Sequence, residues 1–318
     1  MIRELLDQVS EELIRERVFY LAKDPLPFRK ANYTVSGHAK STLEETDDWI
    51  QSQLEGWGYT VRREACRAQA FACDRTKPLH HWYSTPPPDA PFYTINNLYA
   101  VLPPGGQSVV AAQNAANHGT KPEIILICAH KDSPSWIDCP GANDDAIGTA
   151  VAMELARVLR GYSPRRAIHF LFCNEEHMPW TSKTAAAGYR ARGEPIAAVF
   201  NADGVGVKSD ADRLAGKMTN IALYTAPEGK ALADLMVEVN ERYGLGLIQS
   251  VAQRDRPGDD DGSFVQAGFP CAIANFAGRP NGDEQYHLPG DVPERTDYRN
   301  AALTGKAILA AVLTLDQR

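Results

Sequence analysis

Four apolar runs of strand length, none of which alternates with polar residues, constrain this chain more than any other feature. Residues 124–129, 167–173, 196–201 and 271–276 are nearly unbroken in apolar side chains. A strand with one wet face alternates, whereas a strand covered on both faces does not. Stretches of helical periodicity fall between and after these runs, at 146–160, about 182–192, 228–243 and 297–315. A further short strand is predicted at 220–224. Strands alternating with helices predict an α/β fold, a three-layer α/β/α sandwich around a mostly parallel, mixed central sheet.

The first third of the chain is less regular. Residues 39–55 read as an amphipathic helix that stops near Gly56 and Gly58, and 59–64 alternates like a strand. Residues 67–91, with His80-His81-Trp82-Tyr83 and three consecutive prolines, read as a surface excursion, placed over a pocket. Residues 97–102 form a short strand and 103–121 a polar loop. The chain has 318 residues, 44% of them hydrophobic, enough for one sizeable core. No repeat, linker or composition break interrupts it, so one domain over 1–318 is predicted.

Charge and cysteine usage exclude several classes. A formal charge of −7 and the lack of a basic stripe exclude a nucleic-acid partner. No apolar run reaches the roughly 20 residues needed to span a bilayer. Acids stand at Glu4 and Asp7, where a secretion signal needs apolar residues, so a cytoplasmic protein without a membrane partner is expected. The six cysteines lack the spacing of a disulfide framework or a cysteine metal site, and Cys128 and Cys173 fall inside buried strands as free thiols. The sequence leaves the oligomeric state open.

In open α/β sheets, ligands bind beyond the carboxyl ends of the strands. After 124–129 comes His130-Lys131-Asp132; after 167–173, Asn174-Glu175-Glu176; after 196–201, Ala202-Asp203-Gly204. Between the first two lies Gly141-Ala142-Asn143-Asp144-Asp145-Ala146-Ile147-Gly148, a loop opening a helix. Near the end stands Tyr286-His287 in a Gly/Pro-rich loop. Each piece has an ordinary alternative: a hydrogen-bonded histidine, solvated glutamates, a helix cap at Asp144-Asp145. Their coincidence at one sheet edge argues for metal, because a bare carboxylate cluster repels itself without a cation. Two histidines with several carboxylates and no cysteine suit a zinc site used for hydrolysis.

His130-x-Asp132, Gly141-Ala142-x-Asp144-Asp145-Ala146-x-Gly148, Glu175-Glu176, Asp203 and Tyr286-His287 together resemble the zinc aminopeptidase family that includes aminopeptidase Y and bacterial leucyl aminopeptidases. The resemblance runs from about Asn97 onward. It implies two zinc ions per subunit, His130 and Asp203 on one, Glu176 and His287 on the other, with Asp144 bridging. It implies Glu175 as general acid/base, Asp132 orienting His130, and a cis peptide between Asp144 and Asp145. The implied activity is cleavage of a peptide or small amide substrate by a hydroxide held between the ions.

The sequence departs from that family in two places. His177-Met178-Pro179-Trp180 replaces small residues after the glutamates, which predicts Trp180 in or over the pocket and His177 at the surface, with an extra polar group in the site as the alternative. Asp259-Asp260-Asp261 carries acids where an Asp-His pair is usual; Asp260 is a candidate for the substrate pocket, and a solvated turn is the alternative. Tyr286 is a candidate pocket residue that either donates to the oxyanion or lines the wall. Rival readings are a specialised non-peptide amidohydrolase or deacylase, an enzyme similar to glutaminyl cyclases, which lack the Asp-Asp-Ala-x-Gly loop, and a non-catalytic binding homologue.

Overall fold

The computed structural model describes residues 1–106, 121–279 and 282–318. Most of the polar loop predicted at 103–121 therefore lies outside the described residues. The strands are β1 (Val61–Ala70), β2 (Ala72–Cys73), β3 (Tyr83–Ser84), β4 (Tyr93–Leu102), β5 (Ile124–His130), β6 (Ala167–Cys173), β7 (His177–Met178), β8 (Ile196–Ala202), β9 (Thr219–Tyr224), β10 (Ile248–Gln253) and β11 (Ala272–Phe276). The helices are α1 (Ile2–Leu6), α2 (Glu11–Ala22), α3 (Thr42–Gly56), α4 (Ile147–Leu159), α5 (Thr181–Ala191), α6 (Asp210–Leu214), α7 (Pro227–Tyr243), α8 (Asp259–Gln266) and α9 (Tyr298–Gln317).

Nine strands pair in the order β10-β9-β11-β8-β5-β6-β4-β1-β7. The centre, β11-β8-β5-β6, is parallel, and β4, β1 and β7 continue it antiparallel. The unbroken apolar runs have the predicted cause. Along β5, Ile125, Ile127 and Ala129 face a core shared with α2, α4, α7 and α9, while Ile124, Leu126 and Cys128 face a second core with α5 and α8. Both faces of the strand are dry, so neither can be polar. This is the α/β sandwich with a mixed sheet that the sequence predicts.

Local chemistry sets the helix ends. Ser41 and Glu44 form a reciprocal capping box at the start of α3. Pro227 opens α7 and Gly244 closes it in the left-handed conformation. Two elements depart from the sequence reading. Strand β10 was not predicted, its burial alternating weakly at the sheet edge. Residues Asp259–Gln266 form helix α8 rather than a solvated turn, because three acids suit the positive end of a helix and Phe264 is fully buried beneath them.

A buried ion pair ties the first third of the chain to the strand ends. Lys131 points away from its neighbours His130 and Asp132, and its Nζ lies 2.8 Å from Asp47 Oδ1 on α3. It also donates to Asn174 Oδ1 at 2.6 Å. Both charged side chains are about fully buried. Removing one partner strands the other charge in the interior. Asp47→Ala is therefore expected to lower unfolding free energy by about 3–5 kcal/mol, measured by urea denaturation, and a loss below about 1 kcal/mol would contradict the pair's structural role.

Candidate metal centre and active site

The carboxyl ends of β5, β6 and β8 lie side by side, so the residues that follow them converge. His130 ends β5, Glu175 and Glu176 follow β6, and Asp203 follows β8. Asp144 and Asp145 come from the loop before α4, joined by a cis peptide bond. Gly141 in this loop has φ +61, and a side chain on it would collide with the Asp144 carbonyl at 2.4 Å. A side chain on Gly148 would meet the Ala202 carbonyl at 2.1 Å, so the turn can press against β8 only with glycine there.

Two groups of donors share Asp144, and Glu175, Asp203 and Asp259 form a third beside them. His130, Asp144 and Asp203 each offer an atom within 4.8 Å of the others, and so do Asp144, Glu176 and His287. Asp144 belongs to both. His130 Nε2 lies 3.0 Å from Asp144 Oδ1, and His287 Nε2 lies 3.0 Å from Asp144 Oδ2 and 3.2 Å from Glu176 Oε1. All five side chains are buried. The tautomers decide what these contacts mean. The His130 Nδ1 side faces Asp132 Oδ1 at 3.3 Å and the Asp132 carbonyl at 3.2 Å, and His287 Nδ1 donates to the His80 carbonyl at 2.7 Å. With Nδ1 carrying the proton, each Nε2 turns a lone pair toward carboxylate oxygens. Asp144 Oδ2 accordingly has no donor in hydrogen-bonding geometry despite its 3.0 Å neighbour. Lone pairs facing one another in the interior require a cation or a proton between them.

The electrostatics point the same way. Burial lowers the His287 pKa, but Glu176 and Asp144 outweigh it and lift the ring to about 10. Burial and Asp145 together raise Asp203, and burial with Asp260 and Asp259 raises Glu175. Asp132 is the exception. Burial favours its neutral form, yet hydrogen bonds from His130 and His177 hold it well below the usual carboxylate range. It accepts from Glu175 N and Glu176 N at 2.9 Å and from His177 Nδ1 at 2.7 Å, so one carboxylate fixes both glutamates and His130.

Beside the donors lies a cavity of ≈ 520 Å³, counting the space at its mouth. Val207, Phe276 and Tyr286 give it an apolar wall, and Glu175 faces it with a buried Oε2 that no donor satisfies. Donors, a free carboxyl and an apolar wall in one concavity are the elements of a hydrolytic site.

A model of Peptidase family M28 matches residues 108–312. This chain belongs to Peptidase family M28. As a peptidase it hydrolyses peptide bonds. The M28 peptidase is 28% identical to a probable zinc metalloprotease of Pyrenophora teres f. teres, over 99% of this chain and 68% of that protein. It is 27% identical to a probable aminopeptidase of Saccharomyces cerevisiae, over 62% of this chain and 54% of the relative. An aminopeptidase from Aneurinibacillus sp. strain AM-1 shares the fold at a TM-score of 0.71 and 16% identity, with 98% and 95% of the two chains covered.

Three expectations about the M28 peptidase need correction. His177 is not at the surface; it is fully buried, accepting from Ala31 N at 3.2 Å on Nε2 and donating to Asp132 from Nδ1. Trp180 does not enter the cavity. Pairing of β7 with the end of β1 draws this segment to the sheet edge, where Trp180 lies half-buried under Lys183 Nζ. Asp260 does not reach the cavity either, because the first turn of α8 directs it into the core, where it accepts from Cys173 Sγ at 3.0 Å. Its neighbour Asp259 lines the cavity instead, held by Arg254.

The sequence reading also missed two supports. Arg29, fully buried, donates to the carbonyls of Leu21, Lys131, Pro140 and Gly141 at 2.6–2.8 Å, and so fixes the loops on either side of the site. Asp291 accepts from the backbone of Asn143 and Asp144 at 2.8 and 3.1 Å. Among the described residues no helix is long and apolar enough to cross a membrane.

These shifts set a pH dependence for the metal-free protein. A group with a raised folded pKa holds more protons in the fold than in the unfolded chain, so stability falls as pH rises between the two values. For Asp261 and Asp291, which burial lifts to about 7, that window opens near pH 4. For His287 it runs from about 6.5 to about 10. All three act in the same direction. Thermal unfolding in chelator is expected to show a midpoint that declines from pH 5 to 9, and excess divalent zinc is expected to raise and flatten it by binding the fold alone. A midpoint that rises with pH in chelator would contradict the assignment.

Proposed function

We propose that this M28 peptidase is a zinc-dependent aminopeptidase that holds two ions, with His130 and Asp203 on one, Glu176 and His287 on the other, and Asp144 between them. The observation that carries the reading is the pair of buried donor groups sharing Asp144, with both imidazole lone pairs turned inward. Imidazole and carboxylate without cysteine is a donor set that zinc hydrolases use. The zinc metalloprotease and aminopeptidase names borne by its relatives agree with it.

Zinc at such a site lowers the pKa of bound water from about 15.7 to about 7 and polarises a carbonyl. The remaining work falls to the chain. Glu175 lines the cavity with an unpaired oxygen and a raised pKa, which suits a group that takes a proton from water and returns it to the departing amine. Asp132 keeps Glu175 in place through its backbone N–H and keeps the His130 proton on Nδ1. The wall of Val207, Phe276 and Tyr286 receives an apolar part of a peptide or small amide substrate. Tyr286 stacks its ring on His287 at 3.7 Å, which makes it part of that wall.

Two measurements test the proposal together. Elemental analysis of active protein is expected to find two zinc ions per chain, and hydrolysis of aminoacyl anilides is expected to exceed that of N-acylated counterparts by orders of magnitude. Glu175→Gln is expected to keep both ions and lose about 10²–10⁴-fold in kcat, the usual contribution of general acid–base catalysis. Equal cleavage of free and blocked substrates would replace the aminopeptidase reading with a general amidase. Activity unchanged in Glu175→Gln would remove the residue from the chemistry.

A further inference from the structure

Among the described residues, the non-glycine residues with left-handed backbone are His80, Asp259 and His287, at φ 74, 53 and 57. Such conformations are disfavoured for side-chain-bearing residues and persist where surrounding contacts over-determine them, often at functional sites. Two of the three belong to the site already described. The third, His80, comes from the irregular stretch between β2 and β3 and lies outside the 108–312 segment that the family model matches.

His80 and the Tyr286-His287 turn hold each other from both sides. The His80 carbonyl accepts from His287 Nδ1 at 2.7 Å, and His80 Nδ1 donates to the Tyr286 carbonyl at 2.6 Å. A carbonyl can only accept, so this bond fixes the His287 proton on Nδ1 and leaves Nε2 free to bind. The same stretch supplies Tyr83, whose ring meets His287 edge-on at 5.7 Å, and Trp136 does so at 5.0 Å. Tyr286 stacks on the remaining face. The imidazole is thus fixed in proton position, direction and rotation by His80 and Tyr83, about 200 positions away in sequence, together with Trp136 and its own neighbour Tyr286.

We propose that His80 is a positioning residue of the metal centre: its carbonyl and its ring together orient His287, so that the ion shared by Glu176, His287 and Asp144 depends on it. This rests on the two-ion reading above. Outer partners of ligating histidines typically change metal affinity by 10–100-fold when removed. The effect of His80 falls on one ion and spares the other, because among the described residues its hydrogen bonds go to Tyr286 and His287 and none goes to His130 or Asp203.

The test uses zinc titration against a competing chelator in the full chain. In His80→Ala, one of the two dissociation constants is expected to weaken about 10–100-fold while the other holds. His80→Asn tolerates left-handed backbone and can donate to the Tyr286 carbonyl from its amide, so it is expected to recover most of the loss. A separate readout needs no metal: solvent exchange of the His287 Nδ1 proton, assigned by its disappearance in His287→Gln, followed by NMR in chelator. That exchange is expected to quicken at least tenfold in His80→Ala. Unchanged constants in His80→Ala, an Asn variant as weak as Ala, or unaltered exchange would each overturn the proposal. So would equal weakening of both ions with a lower melting point in chelator, which marks a folding defect. Uptake of a single ion by the unaltered protein would sink the two-ion reading, and the exchange measurement would still decide the role of His80.

Discussion

Carboxylates crowded into a dry interior govern the rest of this molecule. Asp132, Asp144, Asp145, Glu176, Asp203, Asp260, Asp261 and Asp291 are all buried near one edge of the sheet. Charges of one sign cannot be packed this way without cations, protons or oriented donors to hold them. The chain supplies some compensation itself. Arg254 serves Asp259 and Asp261, backbone N–H groups serve Asp132, Asp145 and Asp291, and Lys131 answers Asp47 close by. Among the described residues, Asp144, Glu176 and Asp203 face two histidines and, around Asp203, the further carboxylates of Glu175 and Asp259. A cation from outside the chain would complete their environment, and the doubled donor set around Asp144 is what the proposal of two ions rests on.

The fold turns that electrostatic demand into geometry. Three adjacent parallel strands end at nearly the same level, so three short segments deliver their side chains together. Rigidity then comes from groups that never reach the cavity. Arg29 gathers four carbonyls from both sides of the cleft, and a guanidinium with its fixed fork of donors suits that task better than a single ammonium would. Asp132 organises His130 and both glutamates from one carboxylate, and His177 keeps that carboxylate charged. The two adjacent glutamates part at this hub: Glu176 turns toward His287, and Glu175 is left with an unsatisfied oxygen. Division of labour between them follows from the backbone, before any question of acidity arises.

How much of this was legible in the sequence depends on the range of the interaction involved. The strands β5, β6, β8 and β11 were readable because burial on both faces leaves a local mark, an apolar run. The residues at their ends were readable because strand ends in such sheets share an edge, so position along the chain stood in for position in space. Arg29, Asp291 and His80 left no such mark. Their partners lie 102 or more residues away in most cases, and nothing around Arg29 distinguishes it from a solvated arginine. His177 misled for a related reason: a lone histidine beside exposed Met178 and Pro179 looks external, and its long-range bonds with Ala31 N and the Asp132 carboxylate make it internal. Helix α8 hid behind its own composition, three acids that read as a wet turn until their helical end and the buried Phe264 are seen together.

The irregular stretch between β1 and β4 takes its meaning from the same demand. His287, a proposed ligand on a Gly/Pro-rich loop, has little secondary structure to hold it, unlike His130 at the end of a central strand. His130 is steadied by Asp132, two residues on in the segment that follows its strand, and among the described residues His287 has no such carboxylate bond to Nδ1 from its own loop. The opposing bonds from residue 80 and the ring of Tyr83, with Trp136 from the loop after β5, supply from a distance what Asp132 supplies to His130 locally. The two halves of the centre are therefore built to different degrees of independence. The half on β5 and β8 is fixed by the sheet, whereas the half on His287 holds its geometry only while the excursion is in place.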